Sequence, residues 1–197
     1  MSVEIEVKMR AEDPAALIDQ LNQIAGNAIA EIVESDVFLD TAEKQLRAHD
    51  CGLRVRGEAF LFGDHPDRAR ITYKGPRETG LIKRREELEV MVGSADDAAL
   101  LLQRLGYHVQ IRFQKHRRRW HLNDCYVELD HLPHLGHFVE IEGPSDEAVL
   151  AVREALGLGE QPLLQEPYVA MLEAYLLDHE IADRDIRLPE HTGGVNG

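Results

Sequence analysis

Charged residues recur at every second position in several stretches of this sequence. The first stretch, VEIEVKMR, alternates Glu4, Glu6 and Lys8 with apolar residues. Alternate side chains of a β-strand point to the same face, so these three charges would share one face of a sheet. The same in-phase pattern recurs along the chain in Arg54 and Arg56; Arg70, Thr72 and Lys74; Arg85, Glu87 and Glu89; Lys115 and Arg117; Glu128 and Asp130; and Glu140 and Glu142.

These residue types suit the binding of a polyphosphate together with a metal ion. Carboxylates without His or Cys partners favour hard cations such as Mg²⁺ or Mn²⁺. Arginine and lysine match the many oxygens of a polyphosphate, arginine as a fork and lysine as a point charge. Phosphoryl transfer needs mainly in-line positioning and charge stabilisation. If the charged faces share a cavity, the sequence predicts a metal–polyphosphate site.

The stretches that carry these charges are predicted to be strands. Period-two alternation predicts strands at the start of the chain and at about 30–40, 53–62, 68–74, 81–92, 109–121, 124–131 and 137–143. The connections between most of them are short. Short connections imply antiparallel neighbours, because parallel strands need long crossovers.

Four amphipathic helices are predicted between and after these strands. One begins at the N-cap Asp13 and ends at Gly26, and a second runs from Ser94 to Gly106. The others cover about 145–156 and 168–177, and we interpret Tyr168 and the apolar stripe after it as helix packing. These helices would cover the apolar face of the strands.

Two arrangements fit the alternation. An open antiparallel sheet would pack its apolar face on helices and expose its charged face to water. A closed barrel of about eight strands would turn the charged face inward, around room for side chains or one small ligand. Charge in so narrow a lumen has to be compensated by pairing, water or ligands. Each charged doublet is uniform in sign or adds a single basic residue, which favours the barrel. We therefore expect an α+β fold with a closed, eight-stranded antiparallel barrel, a charged interior and helices outside.

Composition excludes several classes of protein. The net charge of −14 argues against broad binding to nucleic acid or to an anionic membrane. The two cysteines, Cys51 and Cys125, form no C-x-x-C motif, and the chain has no apolar run long enough for a membrane span. We therefore expect a cytoplasmic protein without a disulfide framework. Residues 1–180 are predicted to form a single domain, and the tail, 181–197, to be disordered.

Two local motifs suggest other sites. His131, His134 and His137 are evenly spaced and suggest a zinc or nickel site, but Pro133 and Gly136 place them around a hairpin turn, where three imidazoles need not converge. The stretch HRRRW, with Trp120 as a stacking platform, suggests nucleic-acid binding. The acidic net charge argues against that interpretation.

The ordered motifs resemble those of the CYTH superfamily, also called triphosphate tunnel metalloenzymes. The matching stretches are E-x-E-x-K at Glu4, LRVR, ITYKGP, RREELE, QKHRRRW, YVELD and LGHFVEIEG, within about residues 2–143. The set is most similar to the branch commonly labelled class IV adenylate cyclase. The resemblance implies an eight-stranded antiparallel tunnel in which basic residues bind a triphosphate and acidic residues bind one or two divalent ions.

The resemblance also implies roles for individual residues. Those expected to bind phosphate are Lys8, Arg54, Arg56, Lys74, Lys115 and Arg117, with Arg85 as a less specific match. Those expected to hold metal or orient the attacking group are Glu4, Glu6, Asp130, Glu140 and Glu142, and Glu4, Glu6 and Lys8 are the candidate catalytic residues. Glu87, Glu89 and Glu128 are less specific tunnel acids that could simply balance charge.

Three functions are compatible with these residues. The leading hypothesis is Mg²⁺- or Mn²⁺-dependent hydrolysis of ATP, thiamine triphosphate or inorganic triphosphate. The alternative is a class IV adenylate cyclase that converts ATP to cyclic AMP and pyrophosphate. A non-catalytic polyphosphate or nucleotide sensor is the third, and it is disfavoured because anion binding alone gains nothing from metal-type carboxylates. A homodimer is an expectation at the level of the family.

Overall fold

A closed barrel forms the body of the protein. In the computed structural model, which describes residues 2–62, 66–78, 80 and 82–189, its strands are β1 (Ser2–Arg10), β2 (Ala30–Asp40), β3 (Gly52–Phe60), β4 (Arg68–Arg77), β5 (Lys83–Val92), β6 (His108–Leu122), β7 (Cys125–Leu132) and β8 (Gly136–Glu142). Their order around the barrel is β2-β3-β4-β5-β1-β8-β7-β6, and a pairing of β6 with β2 closes the ring. Neighbouring strands are antiparallel throughout. The predicted eight-stranded antiparallel barrel is confirmed.

The strand register brings charges of opposite sign together inside the barrel. Lys8 of β1 lies opposite Glu140 of β8, and Asp36 of β2 lies opposite Arg56 of β3. A slip of one residue would turn these side chains into the apolar outer layer, because the side-chain period of a strand is two. The charge pattern therefore specifies the register.

Three helices cover the outer, apolar face of the barrel. α1 (Pro14–Ala25) and α4 (Asp146–Ala155) pack with outward residues of β1, β6, β7 and β8 in one core cluster, whereas α3 (Ala95–Arg104) packs against β2 and β3 in another.

Side chains cap the start of all three helices. Asp13, Ser94 and Ser145 each accept a hydrogen bond from the backbone N–H three residues further on, at 3.0, 3.2 and 3.3 Å. Such caps satisfy donors that the first helical turn leaves unpaired. The predicted starts of these helices are thereby explained by short-range chemistry.

The last helix, α5 (Tyr168–Asp178), lies over one end of the barrel. It packs on four buried residues that share the inward phase of the charged ones: Ile111, Phe113, Leu132 and Phe138. The short strand β9 (Asp185–Ile186) pairs in parallel with β6 and adds Ile186 to this cluster. This end of the barrel interior is therefore apolar, and the charges occupy the rest.

The structure contains two elements that the sequence pattern did not predict. The four-residue helix α2 (Gln45–Ala48) is too short to show a hydrophobic period. β9 lies in the tail that we expected to be disordered, and the backbone oxygen of Arg184 accepts a hydrogen bond from the N–H of Arg112 at 2.7 Å. The expectation fails at these residues because pairing with β6 supplies the order. Residues 190–197 lie outside the described residues.

Leu172→Ala tests whether α5 is an integral part of the barrel. Leu172 is completely buried in the end cluster, whereas Leu177 of the same helix is 76% exposed. We expect Leu172→Ala to lower the free energy of unfolding by about 2–5 kcal/mol, because it leaves a cavity in a packed core. The control Leu177→Ala should change it by less than about 0.5 kcal/mol. Denaturant titration measures both, and equal losses would contradict the assignment.

Candidate functional site

A cavity of about 610 Å³ lies inside the barrel. All eight strands contribute side chains to its wall, together with the residues at the start of α5. Most of the predicted site residues line it: Glu4, Glu6, Lys8, Arg54, Arg56, Lys74, Arg85, Glu87, Glu89, Lys115, Arg117, Glu128, Glu140 and Glu142. The structure thus brings these residues together in one space.

Asp130 is placed differently, behind the cavity wall. It is completely buried, and both of its oxygens are taken by cations. Arg117 contacts it twice, at 2.6 Å from Nε to Oδ1 and 2.6 Å from Nη2 to Oδ2, and Lys115 Nζ lies 2.8 Å from Oδ2. In this structure Asp130 positions two predicted phosphate-binding side chains.

Arg117 is the centre of this ion-pair network. Its Nη2 also lies 2.6 Å from Glu140, and its Nη1 contacts Glu128. Burial on its own would lower the pKa of Arg117, but Asp130, Glu128 and Glu34 together raise it well above its usual value. The guanidinium is therefore held charged in the barrel interior.

Sequence reasoning missed two acids on β2. Asp36 receives a bidentate contact from Arg56, at 2.6 and 2.7 Å, and Glu34 lies 2.6 Å from Arg56 and 3.0 Å from Lys115. The signal was present, since Glu34 and Asp36 form the same in-phase doublet as the other strands. They extend the charged interior to all eight strands.

Lysine–glutamate pairs occupy the β1–β5 side of the cavity. Lys74 Nζ lies 3.1 Å from Glu4 and also contacts Glu87. Lys83, which sequence reasoning also missed although it is in phase with Arg85, contacts Glu6. Although burial is the largest single influence and acts to raise the pKa of Glu6, Lys83 and Lys74 together hold that pKa below its ordinary value. Glu4 and Glu6 are therefore both paired with a lysine.

Glu142 is the acid with surplus negative charge around it. No ion pair to Glu142 occurs within the described ranges. Desolvation at the cavity wall, followed by repulsion from Glu128, Glu4 and Glu6, raises the pKa of Glu142 to about 7. A cation bound at this part of the wall would be stabilising, since a positive charge nearby favours the ionised form of Glu142.

Three cavity-lining cations contrast with these paired residues. Lys8, Arg54 and Arg85, which we call the cationic trio, form no hydrogen bond to a carboxylate in the part of the chain that the structure describes. The nearest carboxylate to Arg54 is Asp36, 4.0 Å away, and the buried Nε of Arg54 has no partner there. Burial and then the positive charge of Arg56 lower the pKa of Arg54.

The other two members of the trio bond to backbone oxygens. The ammonium of Lys8 donates to the carbonyl of Glu166, just before α5, and burial lowers the pKa of Lys8. Arg85 donates from Nε to Gly75 at 2.9 Å and from Nη2 to Asp50 at 2.8 Å. Neutral carbonyls do not cancel a full charge, so these side chains leave positive charge in the cavity wall that an anion could pair with.

The donors of the cavity fit a divalent cation in chemical type. Glu4, Glu6, Glu140 and Glu142 offer the carboxylate oxygens that Mg²⁺ and Mn²⁺ prefer. The charge surplus at Glu142 fits such an ion as well. Within the described residues, however, no three His, Cys, Asp or Glu side chains converge on one point. Lysine and arginine hold three of these four carboxylates instead.

The alternative sites suggested by the sequence are not assembled. His131 and His137 stack on the outside of the barrel with ring centroids 4.5 Å apart, while His134 stacks on Tyr175 at 5.1 Å. The three imidazoles therefore do not meet. Trp120 is 1% exposed and donates a hydrogen bond to Asn22 at 3.1 Å, so it offers no stacking platform.

The fold and the site together define a class of protein. Proteins of this class form a closed antiparallel β-tunnel, in which buried arginine and lysine side chains are paired with carboxylates. The chain belongs to the CYTH domain family, whose family model matches residues 2–167.

Known proteins similar to this chain include archaeal and plant examples. A protein of Methanocaldococcus jannaschii named "Putative adenylate cyclase MJ0240" is 24% identical over 178 residues, covering 86% of this chain and 98% of that protein. The PH1819 protein of Pyrococcus horikoshii has a similar structure, with a TM-score of 0.76, 25% identity and coverage of 87% and 98%. A "putative adenylyl cyclase" from Hippeastrum, described as having a dominant triphosphatase activity, matches with a TM-score of 0.64, 16% identity and coverage of 87% and 95%.

Within the described residues, no helix combines the length and the apolar composition that a membrane crossing would require.

Glu142→Gln should flatten the dependence of stability on pH. Because the pKa of Glu142 is raised from 4.5 to about 7, the folded protein binds this proton more tightly than the unfolded chain does. The free energy of unfolding therefore falls as the pH rises through that interval, and the variant should lose less of it. Glu142 is exposed as a residue, so solvent screening makes the effect smaller than for a fully buried group.

Denaturant titrations at about pH 5 and about pH 8 measure the change. Glu160→Gln, at an exposed position outside the cavity, is the control. If Glu142→Gln and Glu160→Gln shift the pH dependence equally, Glu142 does not carry the surplus charge.

Proposed function

We propose that this protein is a divalent-metal-dependent enzyme that binds a triphosphate in the cavity and hydrolyses a phosphoanhydride bond. The candidate substrates are ATP, thiamine triphosphate and inorganic triphosphate. Membership of the CYTH family and the description of the Hippeastrum protein as a triphosphatase are consistent with this activity.

The cationic trio is the observation that carries the proposal. Arg56, Lys74 and Arg117 line the same cavity, but each of them contacts a carboxylate. Within the described residues, Lys8, Arg54 and Arg85 carry buried charge that no carboxylate hydrogen-bonds, and a buried charge that is only partly compensated is costly. A polyanion that enters the cavity would supply the missing negative charge. Such a local cluster allows a chain of net charge −14 to bind an anion.

Distinct side chains would serve the triphosphate and the metal. The trio would bind the phosphate oxygens, Arg54 and Arg85 as forks and Lys8 as a point charge. Glu4, Glu6, Glu140 and Glu142 would hold the divalent ion. When bound, the ion supplies charge stabilisation to the phosphate oxygens and acidifies water. Arg117 and Lys115, fixed by Asp130, would keep the positive side of the wall in position.

Hydrolysis of the triphosphate requires water as its only co-reactant. The oxygen of a water molecule attacks the terminal phosphorus, and the bond between that phosphorus and the bridging oxygen breaks. The products are orthophosphate and a diphosphate, and the water proton leaves to solvent or to a phosphate oxygen. In-line positioning of the triphosphate by the trio is the main contribution of the protein.

Cyclisation of ATP is a second candidate, supported by the name of the M. jannaschii relative. In this reaction the 3′-hydroxyl of ATP attacks the α-phosphorus and pyrophosphate leaves. The same cavity could serve it, because the outcome depends on which phosphorus lies in line with a nucleophile. The two reactions differ in their products.

Phosphorus NMR of the products distinguishes the candidates. Purified protein is incubated with each of the three triphosphates in Mg²⁺, in Mn²⁺ and in EDTA. Metal-dependent release of orthophosphate is the expected result, whereas pyrophosphate with cyclic AMP from ATP would identify a cyclase. Absence of metal-dependent turnover with all three would contradict the proposal, and tight binding without product would indicate a binding module.

Arg54→Met tests the trio with little change in side-chain volume. We expect triphosphate affinity to fall by more than about tenfold, because a charge-assisted hydrogen bond is lost. Stability should be unchanged or slightly higher, since Arg54 has an unpartnered buried Nε and Asp36 keeps its bidentate contact with Arg56.

Titration calorimetry in EDTA with inorganic triphosphate measures the affinity, and thermal unfolding measures the stability. Arg104→Met, which removes an exposed cation of α3, is the matched control and should bind normally. Normal affinity of Arg54→Met would show that the trio does not bind the anion.

A further inference from the structure

Tyr168 lines the cavity, and its buried hydroxyl has no hydrogen-bond partner among the described residues. It is the first residue of α5 and is 8% exposed. Buried polar groups are nearly always paired, and leaving one unpaired is destabilising. The position of this hydroxyl therefore calls for an explanation beyond helix packing.

The ring of Tyr168 is fixed by contacts on more than one side. The ammonium of Lys8 lies 4.2 Å from the ring centroid and that of Lys115 lies 5.2 Å from it, which are cation–π distances. Phe138 contacts the ring edge-to-face at 5.1 Å. Lys8 also donates to the carbonyl of Glu166, two residues earlier. The ring that carries the hydroxyl is thus held in place next to a member of the cationic trio.

The hydroxyl remains a hydrogen-bond donor at neutral pH. Burial, followed by the negative charges of Glu140 and Asp130, raises the pKa of Tyr168 well above its usual value. The nearby carboxylates are occupied, since Arg117 contacts both Glu140 and Asp130. A ligand that brings an acceptor into the cavity could therefore satisfy the phenol without breaking an ion pair.

We propose that Tyr168 is a substrate-binding residue whose hydroxyl donates a hydrogen bond to a phosphate oxygen of the bound triphosphate, while its ring positions the ammonium of Lys8 beside the same phosphate. This inference rests on the proposed function. It assigns to α5 a direct part in the site, which the interpretation of Tyr168 as a packing residue did not. The family model ends at residue 167, so the matched segment does not include this residue.

A packing role and a binding role predict different affinities for triphosphate in Tyr168→Phe. If the residue only packs, removing the hydroxyl leaves the ring, its contacts and the affinity for triphosphate unchanged. If the hydroxyl binds phosphate, the affinity falls. In either case the free protein should unfold at the same or a higher temperature, because an unpartnered buried hydroxyl has been removed. Lower affinity together with undiminished stability is therefore the signature of binding.

The experiment compares wild type, Tyr168→Phe and Tyr175→Phe in the full chain. Tyr175 belongs to the same helix but stacks on His134 and His179 outside the cavity. Titration calorimetry with inorganic triphosphate in EDTA, and with the β,γ-methylene analogue of ATP in Mg²⁺, gives the affinities. Thermal unfolding gives the stabilities.

We expect Tyr168→Phe to bind both probes about 10- to 100-fold more weakly than wild type, which is the range for a hydrogen bond to a charged group. Tyr175→Phe should bind like wild type. If wild type binds and Tyr168→Phe binds within about twofold of it, the role of Tyr168 is refuted and the proposed function stands. If wild type binds neither probe, both proposals fail.

Tyr168→Leu separates the ring from the hydroxyl. This variant also removes the π face beside Lys8, so we expect a larger loss of affinity than with Tyr168→Phe. A Leu variant that binds like the Phe variant would overturn the part of the proposal that concerns the ring. Circular dichroism verifies that the Leu variant is folded, and Tyr168→Phe carries the test of the hydroxyl by itself.

Discussion

Compensation of buried charge is the constraint on which this structure depends. A closed barrel with a charged interior has to compensate most of its inward charges, because desolvating a lone charge costs more free energy than the net stability of a folded protein. Arg117 meets this demand through Asp130, Glu128 and Glu140, and Arg56 does so through Asp36 and Glu34. Apart from Glu140, which lies one strand further on, these partners lie on the strand next to that of the arginine. Pairing of charge and pairing of strands are therefore satisfied by one and the same register.

The candidate site is what remains after this pairing. Lys8, Arg54 and Arg85 line the cavity without a carboxylate partner at hydrogen-bonding distance within the described ranges, and Glu142 carries surplus negative charge. A triphosphate and a divalent ion would compensate the two kinds of charge together. A triphosphate bound by the trio would leave the contacts of Arg117 with Asp130 and Glu128 intact, so these contacts can act as a preorganised support, whereas an ion held by Glu140 would compete with Arg117 for that carboxylate. Pairing within the lumen thus determines where a ligand can bind.

Much of the fold could be predicted because strand phase is a local property. The alternation of Glu4, Glu6 and Lys8 with apolar residues fixes which side chains face inward, and the caps at Asp13, Ser94 and Ser145 fix helix starts. The helix α2 and the strand β9 were not predictable in this way. These elements are too short to show a hydrophobic period, and tertiary contacts hold them in place.

The site was predicted less completely, because the position of a residue in the strand alternation does not determine how deeply its side chain is buried. Asp130 has the same inward phase as Glu128, yet it lies behind the wall, bound to Arg117 and Lys115, whereas Glu128 lines the cavity. Glu34 and Asp36 carry the same in-phase signal as the other doublets, so the sequence pattern does place them in the lumen. Lys83 shares the phase of Arg85 but is the first residue of β5, where the alternation only begins.

Tyr168 shows where inference from the strands ends. Its position depends on α5 folding back over the barrel end, where Phe113, Leu132 and Phe138 replace charge with apolar surface. These three residues have the inward phase, so the pattern alone would place them in the lumen without indicating what covers them. The helix that covers them begins with a side chain that reaches the cavity. Tyr168 belongs both to the apolar end cluster and to the cavity lining, so the packing of α5 that covers this end also places a side chain in the candidate site. A residue of this kind becomes visible only when packing outside the repeating pattern is resolved.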